Sequence, residues 1–428
     1  MLSTASFCFA QSQGPSAPVQ SVAPPERSIE GLNLVGGAVT NPLIADSLLG
    51  ADSAFRRAMF RHGLLFRATF IPRFSDNVLD GPVPASQQVY IGERPTVILG
   101  SNPVFAADLR QLGLHHAQLT VGFGWRRTNW APAGPDSFGL TTLYFYKAWG
   151  DRRAEIKIGY LTNDLEFVGL QVGGSTSTGS QGVFAVLPNE VGQSFFPLGA
   201  PASNLRLRIG HFSYFKTSVQ RSLDPAGAQS TVDHNPSGFL FRPNGTKLLW
   251  IGEGGYQRPA AAGQPQAWLR VGYMHNTTPY RNKETGRLEA GNYCAYALMD
   301  YQVRMPEPSA PARGLFLGGT AMTVPSEFNA YDRYYEVRMY RRGTFVSRPT
   351  DVFAFIASYR NHSPFVTGPL VAKGQSVWDN SEALTGTYTA HASRGVYVGL
   401  SLGYIRGAAI TPRVRDALTF TVNSNVYF

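Results

Sequence analysis

The sequence predicts one large all-β structure, a closed antiparallel β-barrel that spans a membrane. Three observations lead to this fold class. Short segments between residues 63 and 428 alternate apolar and polar side chains, which is the period of a β-strand. Charged residues make up only 15% of the 428 residues, whereas aromatic residues make up 12% and glycines number 45. The chain has no run of about 20 apolar residues that could form a transmembrane helix.

The composition also excludes other classes of protein. Low charge with many aromatic residues argues against a disordered chain. Two cysteines are too few for a disulfide scaffold or a cysteine zinc site. The net charge is +10, but the 38 basic residues are dispersed along the predicted strands, whereas a nucleic-acid surface needs a dense basic patch. The eight histidines lack metal-ligand spacing and no hydrolase motif occurs, so we expect neither an enzyme, a metal nor a cofactor.

Residues 1–10, MLSTASFCFA, are expected to be the remnant of a secretory signal peptide. Cys8 and Ala10 would stand at positions −3 and −1 of a cleavage site before Gln11, where small residues are required. An ordinary frayed N-terminus is the alternative. If the cut is made, Cys294 is the one remaining cysteine, and a lone thiol fits an oxidising compartment only when it is buried and unpaired.

A Pro-rich arm and a short helix are predicted for residues 11–62, before a barrel at 63–428. The arm includes GPSAPVQSVAPPER at 14–27, a composition typical of linkers. The helix is expected within 53–62, with Asp52 or Ser53 as its N-cap.

The last thirteen residues, DALTFTVNSNVYF, carry the clearest strand pattern. Because side chains alternate across a strand, this segment has one apolar and one polar face. The apolar face carries Leu418, Phe420, Val422, Val426 and Phe428. The opposite face carries neutral hydrogen-bonding groups, which suit a water-filled lumen.

Fourteen further segments are predicted strands. Five repeat the two-sided pattern cleanly: 115–126, 153–160, 205–210, 334–342 and 395–404. Nine are less regular, namely those near 63–73, 88–99, 140–149, 247–257, 267–275, 292–304, 314–324, 351–360 and 383–391. Most begin twenty or more residues apart, wider than the ~8–12 residues typical of a soluble sandwich. The spacing suits strands of ~10 residues joined by alternately short and long connections.

Aromatic side chains cluster at the ends of these segments, as in the girdles of a membrane barrel. They are Trp125, Trp130, Trp149, Tyr160, Trp250, Tyr256, Tyr273 and Tyr280. General strand propensity is the alternative explanation. Three features favour the membrane arrangement. No helices are predicted to cover so large a sheet, and the strands are too many for one sandwich. The chain also ends on Phe428, and a terminal Phe is the residue that outer-membrane assembly machinery usually recognises.

Several segments in order resemble the carbohydrate-selective porins of the OprB type. They are IKIGYLTNDLEF at 156–167, LRLRIG at 205–210, LLWIGEGGY at 248–256, LRVGYMHNT at 269–277 and GNYCAYALMDYQV at 291–303. The most telling is RGLFLGGTAMTVPSEFNAYDRYYEVRMYRRGTFVSRPTDVFAF at 313–355, an Arg-Gly strand, an acidic turn, and a strand leading to Arg-Pro-x-Asp. The resemblance covers about residues 150–428.

The resemblance implies a monomeric barrel of sixteen strands in the outer membrane of a Gram-negative bacterium. Its loops would fold inward and narrow a channel for facilitated diffusion of glucose-like sugars into the periplasm. Outer-membrane lipid, lipopolysaccharide phosphates and the barrel assembly machinery are the other expected partners.

Strand alternation places a set of charged side chains toward the lumen. Arginine and carboxylate groups can replace the water around sugar hydroxyls, so these side chains are candidate substrate contacts. For any one of them, the alternative is a charge that only solvates the wall. The candidates are Arg126, Arg153, Glu155, Arg206, Arg208, Glu253, Arg270, Glu336 and Arg338.

Two other functions remain open at this point. The net charge fits a general or anion-preferring diffusion porin, in which arginines set only the ion preference. A barrel serving as an adhesin, an enzyme or a secretion anchor is the third possibility, although no reactive constellation or large periplasmic repeat domain supports it.

Overall fold

The computed structural model describes residues 28–34, 43–79, 81–168, 186–412 and 416–428. Within these ranges sixteen antiparallel strands form one closed barrel, in which the last strand pairs with the first. The predicted fold class is therefore confirmed. The expected signal-peptide remnant and the Pro-rich segment 14–27 lie outside the described residues.

The strands of the described residues are numbered in chain order. They are β1 Leu64–Asn77, β2 Thr96–Asp108, β3 Ala117–Thr128, β4 Ser137–Trp149, β5 Ala154–Leu161, β6 Ala200–Ile209, β7 Ser213–Arg221, β8 Leu248–Arg258, β9 Ala267–Asn276, β10 Tyr280–Arg281, β11 Leu288–Glu289, β12 Asn292–Arg304, β13 Gly314–Thr323, β14 Tyr331–Arg342, β15 Val352–His362, β16 Asn380–Ser393, β17 Val396–Arg406 and β18 Ala417–Tyr427. Strands β10 and β11 form a small separate hairpin, and the other sixteen form the barrel.

The same residues contain five α-helices that are not part of the barrel wall. They are α1 Ile29–Leu34, α2 Ala54–Arg61, α3 Val186–Glu190, α4 Ala228–His234 and α5 Pro364–Val371. Helix α2 matches the predicted short helix, and the Ser53 side chain caps it by accepting from the Arg56 backbone N–H. None of the described helices is both long and apolar enough to cross a membrane.

The alternating pattern separates the two faces of the barrel wall. In β18, Thr419, Thr421 and Asn423 are buried toward the lumen, whereas Leu418 and Phe420 are more accessible on the outer surface. Strand β18 pairs with β1 in a register that joins Thr69 to Tyr427 and Phe74 to Val422, and this pairing closes the barrel. Closure satisfies the backbone groups of both edge strands, which lipid would otherwise leave without partners.

The two ends of the barrel differ in the length of their connections. At the short-turn end, residues 150–153 join β4 to β5, 210–212 join β6 to β7, and 394–395 join β16 to β17. At the long-loop end, 162–199 join β5 to β6 and 222–247 join β7 to β8. Short turns on one side and long loops on the other are typical of outer-membrane barrels, whose short turns face the periplasm.

Two strands differ from the sequence prediction. Strand β7, Ser213–Arg221, was not predicted, because its outward residues Phe215, Thr217 and Val219 make only a short and partly polar stripe. The segment predicted at 88–99 is shifted, since β2 begins at Thr96 and runs to Asp108. The apolar residues that suggested the earlier start, Tyr90 and Ile91, are buried in a loop.

The described residues 28–34 and 43–48, which precede β1, lie at the short-turn end. Leu32 of α1 packs against Leu65 and Ala106 on the inner wall, and its carbonyl accepts from Gln118 Nε2 at 3.0 Å. Asp46 accepts from His391 Nε2 at 2.9 Å and from the Tyr397 hydroxyl. Residues 28–34 and 43–48 therefore narrow one mouth of the lumen.

The aromatic girdle is only partly as predicted. Trp149, Trp250 and Tyr273 are outward-facing and exposed on their strands. Trp130 is instead buried in a loop, where it packs with Ile91 and Ile98. Tyr280 is buried in the small hairpin strand β10, where its hydroxyl accepts from Asn276.

Candidate functional site: the pore wall and its inward loop

The loop at residues 162–199 folds into the barrel, and we call it the inward loop. Its described parts are residues 162–168 and 186–199. Phe167, Val168 and Leu187 are buried in one cluster with wall residues that include Ile251 and Met274. Full burial of such side chains contributes about 1.5–3 kcal/mol each, so the loop is held against this part of the wall.

The apolar wall beneath the inward loop explains an exception to the alternating pattern. Leu249, Met274 and Cys294 face the lumen although they are apolar, because the loop covers them. Cys294 is a free and fully buried cysteine, as expected of the one thiol outside the predicted signal peptide.

Polar contacts attach the same loop to charged side chains of the wall. Arg270 Nη1 of β9 donates to the Phe167 carbonyl at 2.8 Å, and Lys157 of β5 pairs with the Glu166 carboxylate. Asn163 donates to Ser218 Oγ at 2.9 Å and to Gln220 Oε1 at 2.8 Å on β7. These contacts make Arg270, one of the predicted lumen charges, an anchor of the loop.

Glu253 lies at the centre of a buried network. Its carboxylate accepts from Tyr214 at 2.9 Å and from Tyr296 at 3.0 Å, and it pairs with Lys216 at 2.9 Å. Trp268 Nε1 donates to the Tyr214 hydroxyl at 3.0 Å, and the Arg270 guanidinium lies 4.0 Å from the centre of the Trp268 ring. Glu253 and Arg270, both predicted from sequence, are thus brought together.

Arg338 organises a second network on β12–β14. It donates to the two Asp300 oxygens at 2.9 and 2.7 Å, to Glu336 Oε1 at 2.8 Å and to Thr320 Oγ1 at 2.9 Å. Tyr334 donates to Glu336 at 2.6 Å. The network places Glu336 and Arg338 in contact, and both side chains are almost inaccessible.

A third and more open group joins Glu155 and Arg206. The Glu155 carboxylate accepts from Tyr146 at 2.9 Å and lies 3.7 Å from Arg206 Nη1. Arg206 also donates to Gln257 at 3.4 Å and lies 5.2 Å from the centre of the Tyr214 ring. The Arg206 side chain is 29% exposed, so it keeps donors available to the lumen.

The remaining three predicted residues lie apart from these networks. Arg126 is a buried inward-facing residue of β3 that donates to the Ala133 carbonyl at 2.7 Å. Arg153 is exposed in the turn between β4 and β5, so its placement on the lumen wall of a strand was wrong. Arg208 is exposed at the end of β6, with its backbone N–H bonded to the Arg153 carbonyl, and lies at the rim of the short-turn end.

Sequence reasoning missed several members of these networks. Asp300, Tyr214, Lys216 and Trp268 all face the lumen. Lys216 and Tyr214 belong to the unpredicted strand β7. Asp300 follows Tyr296 and Leu298 on the same face of β12, and those apolar neighbours hid the polar face. The signal that could have identified Asp300 is a charged residue inside an otherwise apolar predicted strand.

The lumen wall of β16–β18 has a different chemistry, and we call it the neutral wall. Its inward-facing side chains include Thr385, Thr387, Ser401 and Thr421. We call the wall of β5–β9 and β12–β14, with the three networks, the charged wall. The inward loop lies against the charged wall, so the channel is bounded by loop on one side and by neutral hydroxyl groups on the other.

The inward loop is also attached to the long-loop end of the barrel, through Glu190 of α3. Its Oε2 accepts from the Ala330 backbone N–H at 3.2 Å. Burial raises the pKa of the Glu190 carboxyl to about 7, although Lys283, Arg360 and backbone N–H groups act in the opposite direction. Burial likewise lowers the pKa of Lys283, with Glu190 opposing the shift.

A closed sixteen-stranded barrel with a loop folded into a charged lumen defines an outer-membrane porin. The chain belongs to the OprB family of carbohydrate-selective porins, whose sequence profile matches residues 49–428. None of the curated protein sequences compared with it matches significantly.

Two solved structures of Pseudomonas putida OprB share the fold. The high-pH structure has 16% sequence identity and a TM-score of 0.74, and the low-pH structure has 14% identity and a TM-score of 0.56. In both comparisons 90% of this chain and 98% of the other chain are covered. The predicted family is confirmed, and the protein is a sugar-conducting channel of the outer membrane.

Proposed function

We propose that the pore passes small neutral sugars of the glucose type and that Arg206, which lies beside Glu155, contacts them. The observation that supports this is the difference in accessibility among the lumen charges. The Arg206 side chain is 29% exposed, whereas the Arg338 side chain is 5% exposed and Glu253 is inaccessible. A sugar can exchange hydroxyl–water bonds for charged hydrogen bonds only where the protein groups are reachable.

Arg206→Ala tests the proposal, and Arg208→Ala is its matched control. Both are arginines of β6 on the lumen side, but Arg208 lies at the rim and Arg206 beside Glu155. A lost charged hydrogen bond costs about 1–3 kcal/mol, so glucose should block the ionic current of the Arg206 variant only at higher concentration. Arg208→Ala should leave the blocking concentration unchanged.

A general or anion-preferring pore is the second candidate, supported by the net charge of +10. In that case Arg206→Ala would lower the chloride preference and leave glucose block and glucose uptake as they were. The two functions are separated by measuring reversal potential and sugar block on the same bilayer. Under either function, the buried clusters around Arg338 and Glu253, together with Arg126, serve as structural parts of the wall.

We also propose a Gram-negative source, with lipopolysaccharide around the barrel, and recognition of Phe428 by the barrel assembly machinery. The Phe428 backbone N–H donates to the Ala68 carbonyl at 2.8 Å, so the last residue belongs to the closing seam. Deletion of Phe428 should reduce the amount of heat-modifiable barrel in the outer membrane and leave export to the periplasm intact. Unchanged barrel levels would contradict this part of the proposal.

A further inference from the structure

Strands β5 and β7 are the two shortest of the sixteen barrel strands, with 8 and 9 residues. The pairing of β4 with β5 ends at Leu143 and Tyr160, at the long-loop side of β5. On a tilted strand, the outer face of β4 from the exposed Trp149 up to Leu143 spans only about 16 Å of height. The lipid-facing belt of an outer-membrane barrel is about 25 Å tall, so about 9 Å of it lies above the end of β5.

The connection between β7 and β8 occupies the space above β5. The Tyr160 hydroxyl donates to the Phe239 carbonyl at 2.7 Å, and Arg221 Nη1 donates to the Leu240 carbonyl at 2.6 Å. The neighbouring backbone is also fixed, because the Leu240 N–H donates to Asn235 Oδ1 at 2.9 Å. We call residues 239–241 the apolar tip.

The two side chains that hold the apolar tip face outward from the barrel. Tyr160 follows the exposed Ile158 on the outer face of β5. Arg221 is the register partner of Leu248, an exposed outward residue of β8. Register partners point to the same side of a sheet. The apolar tip is therefore held on the outer side of the wall, and not over the lumen.

The apolar tip lies at the upper boundary of the lipid-facing belt. The Leu140 N–H of β4 donates to the Ser237 carbonyl at 2.9 Å, just before the tip. Leu140 is about 8 Å higher than Leu143 on the tilted strand, which brings the tip to the top of the belt. Phe239 and Phe241 are 55% and 70% exposed at this level. Their rings therefore continue the apolar surface that the short strands leave incomplete.

The charges beside the apolar tip are basic. Arg242 and Lys247 are both exposed. The sequence from His234 to Gly252 contains neither Asp nor Glu. Apolar rings next to cations at the membrane boundary match a lipid with acyl chains below and phosphates above, since arginine binds phosphate through charged hydrogen bonds.

We propose that the apolar tip, together with Arg242, is a binding site for lipid A in the outer leaflet. Phe239 and Phe241 enter the acyl chains, and Arg242 contacts a lipid A phosphate. The inference rests on the proposed lipopolysaccharide around the barrel and is independent of the sugar that the pore passes. A second copy of the chain is a poorer occupant, because a stable protein interface takes about 20–30 residues a side, far more than this tip offers.

Native mass spectrometry in mild detergent tests the site. The full-length porin is mixed with equal amounts of lipid A, phosphatidylethanolamine and phosphatidylglycerol, and the bound fraction of each is measured. The wild type should retain lipid A preferentially. Arg242→Gln should lower that retention about tenfold, the effect of losing one charged hydrogen bond. Phe239→Ser combined with Phe241→Ser should lower it at least as much, because two large apolar contacts with the acyl chains are lost.

The matched controls lie in the connection between β9 and β12, also at the long-loop end. Leu288 is 70% exposed and Arg287 is exposed, and both belong to the segment of the small hairpin. Leu288→Ser and Arg287→Gln should retain lipid A as the wild type does, and heat-modifiable migration establishes that every variant is folded. Glucose should block the current of every variant at the wild-type concentration, which separates this result from a failure of the proposed sugar contact at Arg206.

Three results would overturn the proposal. One is preferential retention of either phospholipid by the wild type. Another is equal retention of lipid A by the wild type and all variants. The third is an oligomer of the wild type that the Phe239→Ser and Phe241→Ser double variant disrupts, which would make the apolar tip a contact between copies of the chain.

Discussion

The charged wall and the neutral wall belong to one barrel and follow the same alternating pattern, yet they behave as different surfaces. On the charged wall, Arg338 and Glu253 are surrounded by partners on neighbouring strands, and the inward loop closes over the group at Glu253. On the neutral wall, inward glycines such as Gly399 and Gly403 separate short hydroxyl side chains. Charges in a confined lumen require partners, whereas small hydroxyls do not. The charged wall therefore supports the inward loop, whereas the small side chains of the neutral wall leave space for the open channel.

Removal of Arg338 should give the largest effect. Arg338→Met leaves Asp300 and Glu336 together without their cation, and loss of one partner of a buried ion pair costs about 3–5 kcal/mol. The free energy of unfolding in urea, measured in detergent micelles, should fall by that amount. Adding Asp300→Asn and Glu336→Gln should recover most of the loss, because the uncompensated charges are then gone.

Thr387→Val on the neutral wall is the matched control for Arg338→Met. Thr387 is also buried toward the lumen, and its hydroxyl has no hydrogen-bond partner within the described residues. Loss of a hydroxyl of this kind should change the free energy of unfolding by no more than ~1 kcal/mol. A loss as large as that of Arg338→Met would mean that the two walls contribute equally to stability and would contradict the comparison.

The sequence predicted the two faces of a strand far better than the packing inside the barrel. In β18 the polar and apolar residues separate cleanly, so Thr419 and Leu418 were assigned to the correct sides. In β12 both faces are apolar, because Cys294 and Leu298 face the inward loop while Met299 faces lipid. Periodicity cannot tell which apolar face is covered, since the cover comes from a loop more than a hundred residues earlier in the chain.

For the candidate lumen charges as well, strand alternation predicted which face a side chain lies on but not which groups it contacts. Alternation placed Glu155, Arg206, Glu336 and Arg338 on the inner side of the wall, where the structure has them. It failed for Arg153 because the strand begins one residue later, at Ala154, and strand ends are the least predictable part of a pattern. Which charges pair with each other depends on register between strands, and register is not visible in one strand's sequence.

Release of the inward loop should give the second-largest effect. Arg270→Ala removes the 2.8 Å hydrogen bond to the Phe167 carbonyl and the stacking on Trp268. A charged hydrogen bond contributes about 1.5–3 kcal/mol, so the loop should leave the charged wall more often. Single-channel recordings should show a higher mean conductance with larger fluctuations.

Arg126→Ala is the control for the loop. Arg126 is a buried inward-facing arginine as well, but it donates to Ala133, in the connection between β3 and β4. Its removal should leave the fluctuations of the inward loop unchanged. If Arg126→Ala raised them as much as Arg270→Ala, the loop would not depend on its contact with the charged wall.

The smallest effect is expected from the protonation of Glu190, which ties the inward loop to Ala330. Burial raises the pKa of Glu190 from an ordinary value of 4.5 to about 7, so the packed loop favours the protonated form. The stability that protonation gives the packed loop is full below pH 4.5 and is lost as the pH rises to about 7. Loop fluctuations should increase over this interval, by no more than about fivefold, because a partly exposed charge contributes at most ~1 kcal/mol.

Glu190→Gln is the control, because its side chain stays neutral at every pH and should keep the low-pH behaviour throughout. If the pH dependence of the loop fluctuations persisted in Glu190→Gln, another group would be titrating. Glu190 would then not be the pH-sensitive anchor of the inward loop.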